Sequence, residues 1–327
     1  MESTVQSFPL EAGDDGLETV RWKLVVAYDG ASFHGFAAQP GVRTVSGLLV
    51  EVIARTVRLR TVPKIVCAGR TDAGVHARAQ VIHVDLPRGL PLIRTSLGER
   101  PMSPAELRRA LNRQLGASVV VLDAQVAPLG FDARRSALSR AYRYLIWNSP
   151  QADPLLSPIA WHIREPLDLS AMQGAADVFL GEHDFRSFCR RPSKANVEDP
   201  IIRRVTLARW TQIADSEVID ALSAVQSVGC VERETKGTSS VATAGSRTNS
   251  YLEVSRMLRF DIAAGSFCHQ MVRSIVATLV EVGKGNANIA TTLTSLRSHS
   301  RKSQPSPAPA RGLCLVRVDY PSRIEPE

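Results

Sequence analysis

Two charged residues stand two positions apart in a glycine-containing loop, Arg70 and Asp72, with Gly69 and Gly74 beside them. The glycines permit backbone conformations that other residues resist, so the loop can present charged side chains at defined positions. A carboxylate beside a fixed cation stays ionised, because the opposite charge favours the charged form. Such a carboxylate can act as a nucleophile or as a base. The alternative for a lone Arg-x-Asp is a turn with an ordinary surface ion pair.

Two predicted strands hold this loop. The short apolar run at residues 64–68 enters it. After the loop, two sets of residues alternate with the period of two that is typical of a half-buried strand: Val81, His83 and Asp85 in one, Gln80, Ile82 and Val84 in the other.

Residues 69–77 read GRTDAGVHA. This stretch resembles, nearly letter for letter, the active-site loop of the tRNA pseudouridine synthase A family. Further blocks match in the family order, so the resemblance covers roughly residues 22–322. They are YDGASFHGFAAQPGVRTVSG from Tyr28, FDARRSALSRAYRYLIWN from Phe131, GEHDFRSFCR from Gly181, FCHQMVRSIVATLVEVGKG from Phe267 and GLCLVRVDYP from Gly312.

The resemblance assigns roles to single residues of this chain. It makes Asp72 the essential carboxylate, which either attacks C1′ or first removes a sugar proton, and it pairs Arg273 with that carboxylate. Tyr142 would stack on the uracil and could take the final C5 proton. Without the resemblance, Tyr142 would be a packed core aromatic and Arg273 could reach the surface instead. Substrate contacts are expected from Arg70, Tyr142, Phe188 and Arg134, the arginines toward phosphate.

Four positions depart from the family pattern: Phe36 stands where tryptophan is usual, Ala37 where glutamine is usual, and Asp132 where histidine is usual; Cys314 also differs. These departures could change which uridines or which RNAs are used.

The expected fold is α+β, with two ferredoxin-like (RRM-like) subdomains and a central, mostly antiparallel sheet flanked by helices. Helices are predicted over 45–57, with Thr44 as N-cap, and over 104–115, with a Ser103–Glu106 capping box. Two more are predicted: one near 170–180 that ends at Gly181, and one in the block from Phe267 that ends at Gly283. The predicted organisation is a disordered leader over 1–20, an N-terminal domain over 21–127 and a C-terminal domain over 128–322. The last contains a flexible insertion at 223–250 and a Ser/Pro-rich linker at 295–310.

Composition narrows the function classes. Forty Lys and Arg against 32 Asp and Glu give a net charge of +8, which favours a polyanionic partner. The five cysteines show no metal-ligand spacing, so reduced thiols, a cytoplasmic location and no metal are expected. The N-terminus is acidic and lacks the apolar core of a secretory signal, and no apolar run reaches membrane-spanning length.

The function implied by the resemblance is isomerisation of uridine to pseudouridine in the anticodon stem-loop of tRNA, at tRNA positions 38 to 40. The reaction cuts the base from C1′, rotates it and rejoins it through C5, so no cofactor is expected. The family implies a homodimer with tRNA across both subunits. Two alternatives from other classes are a catalytically silent RNA-binding protein on the same scaffold and an unrelated hydrolase that uses Asp72. The hydrolase is disfavoured because a retaining glycosidase needs a second carboxylate, and no companion motif is present.

Overall fold

The structure is a computed structural model that describes residues 19–59, 61–96, 98–191, 199–213, 255–301 and 304–322. The chain divides into two compact units. The first contains the residues up to Tyr142, Ala263–Phe267 and the residues from Leu313 on, and the second contains Arg143–Ile262 and Cys268–Gly312. The predicted insertion at 223–250 lies outside the described residues, as do residues 1–18 of the predicted leader. The domain boundary after residue 127 stays a prediction.

The first unit is built on strands that pair in the order β6-β1-β3-β12, with β2 on the edge of β3. Strand β1 pairs antiparallel with both β3 and β6, and β12 runs parallel to β3. Strands β4 and β5 form a separate antiparallel hairpin. The strands are β1 (Thr19–Tyr28), β2 (Ile65–Cys67), β3 (His76–Pro87), β4 (Leu92–Thr95), β5 (Gly98–Pro101), β6 (Val119–Ala127) and β12 (Leu313–Asp319).

Two helices of the first unit begin where local chemistry predicts. Helix α1 spans Val45–Val57, and the Thr44 side chain accepts a hydrogen bond from the Gly47 N–H. Helix α2 spans Pro104–Leu115 and opens with the predicted capping box of Ser103 and Glu106. Helix α2 packs on β6 and on α1. Both helix predictions are confirmed.

Strand β3 differs from its prediction. The alternating pattern indicated one buried face, yet every residue from Gln80 to Val84 is buried. The reason is that Val81 packs in a cluster with Ala68, Phe131 and Ala133, which covers the face expected to meet solvent.

The second unit contains strands that pair in the order β7-β11-β10-β9, with β8 parallel to β7. Helix α3 packs against α4 and β10. Strands β7 and β11 also have residues in the first unit. The elements are β7 (Ser139–Asn148), β8 (Trp161–Ile163), α3 (Leu169–Asp177), β9 (Gly181–Asp184), β10 (Ile202–Ile213), β11 (Arg256–Ala264), α4 (Met271–Gly283) and α5 (Ile289–Arg297). The predicted α+β class, with mostly antiparallel strands flanked by helices, is confirmed.

Two helix boundaries correct the predictions. Helix α3 ends at Asp177 because the chain then tightens: the N–H groups of Phe179 and Leu180 donate to carbonyls only three residues back. Helix α5 overlaps the predicted linker at 295–310. It opens with a capping box in which the Asn288 side chain accepts from the Thr291 N–H.

The cysteines also correct an expectation. Cys189 and Cys268 form a disulfide with their Cα atoms 5.8 Å apart, so the prediction of reduced thiols is wrong for this pair. Their sequence separation of 79 residues carried no signal of proximity. Cys67 and Cys314 are not part of a disulfide. None of the described helices is long and apolar enough to cross a lipid bilayer.

Candidate active site

The loop that carries Arg70 and Asp72 joins β2 to β3 and is held by a second loop that follows β1. The Phe36 N–H donates to the Thr71 carbonyl over 3.1 Å, and the Gly74 N–H donates to the Phe33 carbonyl over 3.4 Å. Within the loop, the Val75 N–H donates to the carbonyl of Asp72 over 3.2 Å. The backbone on both sides of the Asp72 side chain is therefore fixed by hydrogen bonds.

Two glycines allow these loops to approach so closely. A β-carbon at Gly30 would lie 2.1 Å from the Val75 carbonyl oxygen, a distance that no side chain tolerates. Gly35 has φ +94°, and a β-carbon there would lie 2.9 Å from the Thr71 carbonyl oxygen. Both positions of the family-like segment thus require glycine for a steric reason.

A buried polar group supports the loop from below. The Tyr28 hydroxyl bonds the Thr71 Oγ1 over 2.8 Å, and the Gln80 Nε2 donates to the Gly69 carbonyl over 2.7 Å. The same Nε2 also lies 3.4 Å from the Tyr28 hydroxyl. Because Gln80 is 0% exposed, these bonds form away from water and hold the loop more tightly than surface bonds would.

The loop brings Asp72 near Tyr142. The Tyr142 hydroxyl lies 3.8 Å from the position that a β-carbon would take at Gly69, and the ring packs edge-on against Phe267 with the centroids 5.2 Å apart. Burial raises the pKa of Tyr142 well above its usual range, and the Asp72 carboxylate raises it further. Asp72 itself is half-buried. The tyrosine is therefore a neutral phenol beside a carboxylate.

The two predicted phosphate-binding arginines of this unit are exposed and act on a common neighbour. Burial raises the pKa of the Cys67 thiol to about 11, while the charges of Arg70 and Arg134 oppose that rise. The structure thus brings Arg70 and Arg134 to the same part of the first unit, with their side chains open to solvent.

Asp132, where the family pattern has histidine, supports Arg134 through the backbone. Its carboxylate accepts hydrogen bonds of 2.8 Å from the N–H groups of Arg134 and Arg135. On the other side, the Ala133 N–H donates to Nδ1 of the buried His83 over 2.9 Å. This departure therefore has a structural role: it fixes the turn from which Arg134 extends.

The departure at position 36 is also accommodated by packing. Phe33 and Phe36 are both buried, and the Phe36 ring lies 6.2 Å from that of Tyr28. Both rings therefore belong to the core of the first unit.

Arg273 and Phe188 lie in the second unit. Arg273 is half-buried on α4, where its Nε donates to the Ala308 carbonyl over 2.6 Å and its own carbonyl accepts from the Ala308 N–H over 3.0 Å. Phe188 is 0% exposed and packs edge-on against Phe179 with the centroids 5.1 Å apart. The catalytic role of Arg273 and the substrate contact of Phe188 stay predictions.

Comparison with known proteins decides the family. Residues 175–321 match the family described as tRNA pseudouridine synthase. Proteins named tRNA pseudouridine synthase A from Frankia casuarinae and from Mycobacterium leprae are each 37% identical, covering 94% and 93% of this chain and 91% of each relative. The relative of the same name from Bifidobacterium animalis subsp. lactis is 34% identical over 93% of this chain and 95% of its own.

This chain belongs to the tRNA pseudouridine synthase A family. The family resemblance and the expected enzyme class, an isomerase, are confirmed. Among solved structures, a chain in the crystal structure of a Cbf5-Nop10-Gar1 complex is 14% identical with a TM-score of 0.27, covering 79% of this chain and 45% of that chain. A likeness this weak adds nothing to the family assignment.

Three residues that support the Asp72 loop were not identified from the sequence. Tyr28, Thr71 and Gln80 come from separate parts of the chain, and no spacing in the sequence shows that they meet. One signal is that Gln80 shares its predicted strand face with Ile82 and Val84, because a buried amide needs partners. Across the residues that the structure describes, no cluster of His, Cys, Asp and Glu could hold a metal ion.

Proposed function

We propose that this protein converts uridines in the anticodon stem-loop of tRNA to pseudouridine and that Asp72 is its essential carboxylate. The observation that supports this most is the anchoring of the Asp72 loop beside Tyr142, by backbone bonds on both sides and by close contacts that only glycine allows. A group held in this way can meet a flipped-out nucleotide without first ordering itself.

The reaction needs no outside redox partner or energy source. The bond from C1′ to N1 of the uracil breaks, the base turns and a bond from C1′ to C5 forms. The proton on C5 leaves and N1 takes up a proton, so the product is an isomer of the substrate. Asp72 either attacks C1′ directly or first removes a sugar proton; both roles need the ionised form. The pairing of Asp72 with Arg273, which the family resemblance implies, would favour that form and is part of this proposal.

Tyr142 has two expected roles, and its surroundings favour one. A buried tyrosine with a raised pKa stays a neutral phenol near pH 7, and a neutral phenol is a poor proton acceptor. Its flat ring can still stack on the uracil. We therefore assign Tyr142 to stacking, with the C5 proton passing to another acceptor such as water.

The remaining contacts fit a polyanionic substrate. Arg70 and Arg134 are exposed, as phosphate contacts require. The net charge of +8 would strengthen tRNA binding at low salt. A homodimer in the cytoplasm, with tRNA across both subunits, completes the proposal as the family resemblance implies it.

The test is pseudouridine mapping on an unmodified tRNA transcript, with wild type, Asp72→Asn and Asp123→Asn compared at equal concentration. Asp123 is a matched control because it lies on β6, outside the candidate site. Wild type and Asp123→Asn should modify the anticodon stem-loop without added cofactor, while Asp72→Asn should leave it unmodified although it still binds the transcript.

Other outcomes would identify the alternatives. If wild type binds the transcript and forms no pseudouridine, the protein is a silent RNA-binding member of its scaffold. If the modified uridines lie outside the anticodon stem-loop, the target has shifted. If free uracil is released instead, Asp72 serves a hydrolase.

A further inference from the structure

A buried arginine outside the predicted set donates hydrogen bonds to carbonyls at the start of the Asp72 loop, in the Arg134 turn and near Phe267. Arg140 lies on β7 and is 7% exposed. It stands two residues before Tyr142 on the same strand, so both side chains leave the strand on one face. Nothing in the resemblance gave Arg140 a role.

All five N–H groups of Arg140 donate to backbone carbonyls. Nε and Nη2 both reach the Ala68 carbonyl, at 3.3 and 2.9 Å. Nη2 also donates to the Arg134 carbonyl over 2.6 Å. Nη1 donates to the carbonyls of Ala137 and Gly265, at 3.0 and 2.5 Å. The guanidinium therefore has no donor left for a carboxylate or a phosphate.

The accepting carbonyls lie beside the candidate site residues. Ala68 directly precedes Gly69 at the start of the Asp72 loop, and the Arg134 carbonyl belongs to a predicted substrate contact itself. Gly265 is two residues before Phe267, whose ring packs edge-on against Tyr142. The planar guanidinium of Arg140 thus sets the spacing between the Asp72 loop, the Arg134 turn and the Phe267 segment that packs against Tyr142.

Burying the charged guanidinium lowers the stability of the fold, so stability alone does not explain why arginine stands at position 140. Burial lowers the pKa of Arg140, which shows that the surroundings disfavour the charge. An apolar side chain of similar volume would avoid that cost, as replacements of buried charged groups in other proteins show. Lysine could not substitute, because its three donors radiate from one atom and cannot reach four carbonyls in one plane.

We propose that Arg140 is a positioning residue for pseudouridine formation: it fixes the distances among Asp72, Tyr142 and Arg134 without touching the substrate. The proposal rests on the proposed function of that site. A displacement of about 1 Å at a reacting group can cost on the order of 100-fold in rate. The rate of the chemical step should therefore depend on Arg140 more strongly than substrate affinity does.

The experiment compares wild type, Arg140→Lys, Arg140→Ala and the control Arg256→Lys. Arg256 is also partly buried and donates through Nη2 to Asn148 Oδ1 and to the Leu167 carbonyl, next to no candidate site residue. For each, the rate constant of pseudouridine formation is measured with enzyme in saturating excess over a tRNA transcript. The dissociation constant for the transcript and the urea midpoint are measured alongside.

Arg140→Lys should slow the chemical step on the order of 100-fold, while the dissociation constant changes by less than about threefold. Millimolar guanidinium chloride should restore part of the rate of Arg140→Ala, since a free guanidinium ion can occupy the same carbonyls. Arg256→Lys should lose stability at most and keep its rate.

Three results would overturn the proposal: a wild-type rate in Arg140→Lys, a loss of rate in Arg140→Lys that its unfolded fraction fully accounts for, or an Arg140→Lys protein with no folded fraction. The last would make Arg140 a folding residue. Wild type alone tests the proposed function: without pseudouridine from wild type, that function fails first, whereas an active wild type with an unaffected Arg140→Lys removes only the positioning role.

Discussion

The loop at residues 69–75 of the first unit and the segment at 185–189 of the second both match family motifs, yet different forces hold them. Backbone hydrogen bonds, close glycine contacts and the buried Gln80 amide hold the first. Packing among Phe179, Phe185 and Phe188 holds the second. The hydrogen bonds that hold the first loop are made largely by its backbone groups. Aromatic packing occupies the side chains themselves, so an equal match to a family motif does not imply an equal role.

Truncating the aromatic segment should have the largest effect on stability. Phe188→Ala removes a fully buried ring and should lower the free energy of unfolding by about 3 to 5 kcal/mol. Urea denaturation measures this directly. Phe188→Leu keeps most of the volume and should cost less than about 1.5 kcal/mol, with wild-type formation of pseudouridine. A stable Phe188→Leu protein that binds or modifies tRNA poorly would instead show that Phe188 contacts the substrate, and the contrast between the two loops would weaken.

Adding one methyl group to the glycine-clamped loop should have the next largest effect. Gly30→Ala forces a β-carbon against the Val75 carbonyl and should cost about 1 to 3 kcal/mol in stability. Because Val75 lies in the Asp72 loop, the rate of pseudouridine formation by the folded protein should also fall. The control is Gly116→Ala, where φ is +71° and no atom lies within 4 Å. That variant should lose about 1 kcal/mol from backbone strain and keep its rate. Equal rates in both variants would show that the clamp does not position the site.

Sequence was sufficient where a structure depends on neighbours in the chain. The capping box of Ser103 and Glu106 and the N-cap at Thr44 set helix starts to the residue, because each bond spans three positions. The Arg-x-Asp loop was found from its motif for the same reason. Helix α5 shows where composition misled. Serines, prolines and basic residues around 295–310 suggested a linker, and the Asn288 capping box at 288–291 was not recognised.

Sequence was insufficient where the partners are far apart in the chain. Arg140 and Ala68 are 72 positions apart, and Gln80 meets Tyr28 across 52. No period or motif encodes such pairings. The prediction that one face of β3 meets solvent was wrong for the same reason, because Phe131 and Ala133, from a later segment, cover that face. The substrate target and the pairing of Asp72 with Arg273 remain predictions.

A single buried hydroxyl tests the support beneath the clamped loop with a smaller effect. Thr71→Val removes the bond to the Tyr28 hydroxyl and should cost about 1 kcal/mol in stability. Thr292→Val is the matched control, since Thr292 is also buried and its hydroxyl donates to the Asn288 carbonyl in the second unit. Both variants should lose similar stability in urea, but only Thr71→Val should slow pseudouridine formation. The same rate in both would mean that the Tyr28 bond stabilises the fold without orienting the loop.

The smallest expected effect is a pH dependence at the Arg134 turn. Burial lowers the pKa of His83, with a smaller contribution from the charge of Arg21, while Asp132 and Asp85 oppose the shift. The neutral ring is also the form that accepts the Ala133 N–H at Nδ1, so protonation would break that bond. As the pH falls below about 6.5, the ordinary value for histidine, the unfolded chain takes up a proton before the folded chain does. The free energy of unfolding should therefore decrease as the pH is lowered, until the pH reaches the lowered pKa of His83 in the folded protein.

His83→Asn isolates this effect, because the asparagine Oδ1 can replace Nδ1 as an acceptor and does not titrate. Urea denaturation of this variant at pH 7.5 and pH 5.5 should show a smaller loss of stability than wild type over the same interval. His34→Asn, at an exposed histidine, should keep the wild-type dependence. A wild-type slope in His83→Asn would show that the turn carrying Arg134 is insensitive to this proton. In that case the Asp132 carboxylate, whose pKa stays below its usual range because hydrogen bonds from the backbone outweigh its burial, would be the main support of the turn.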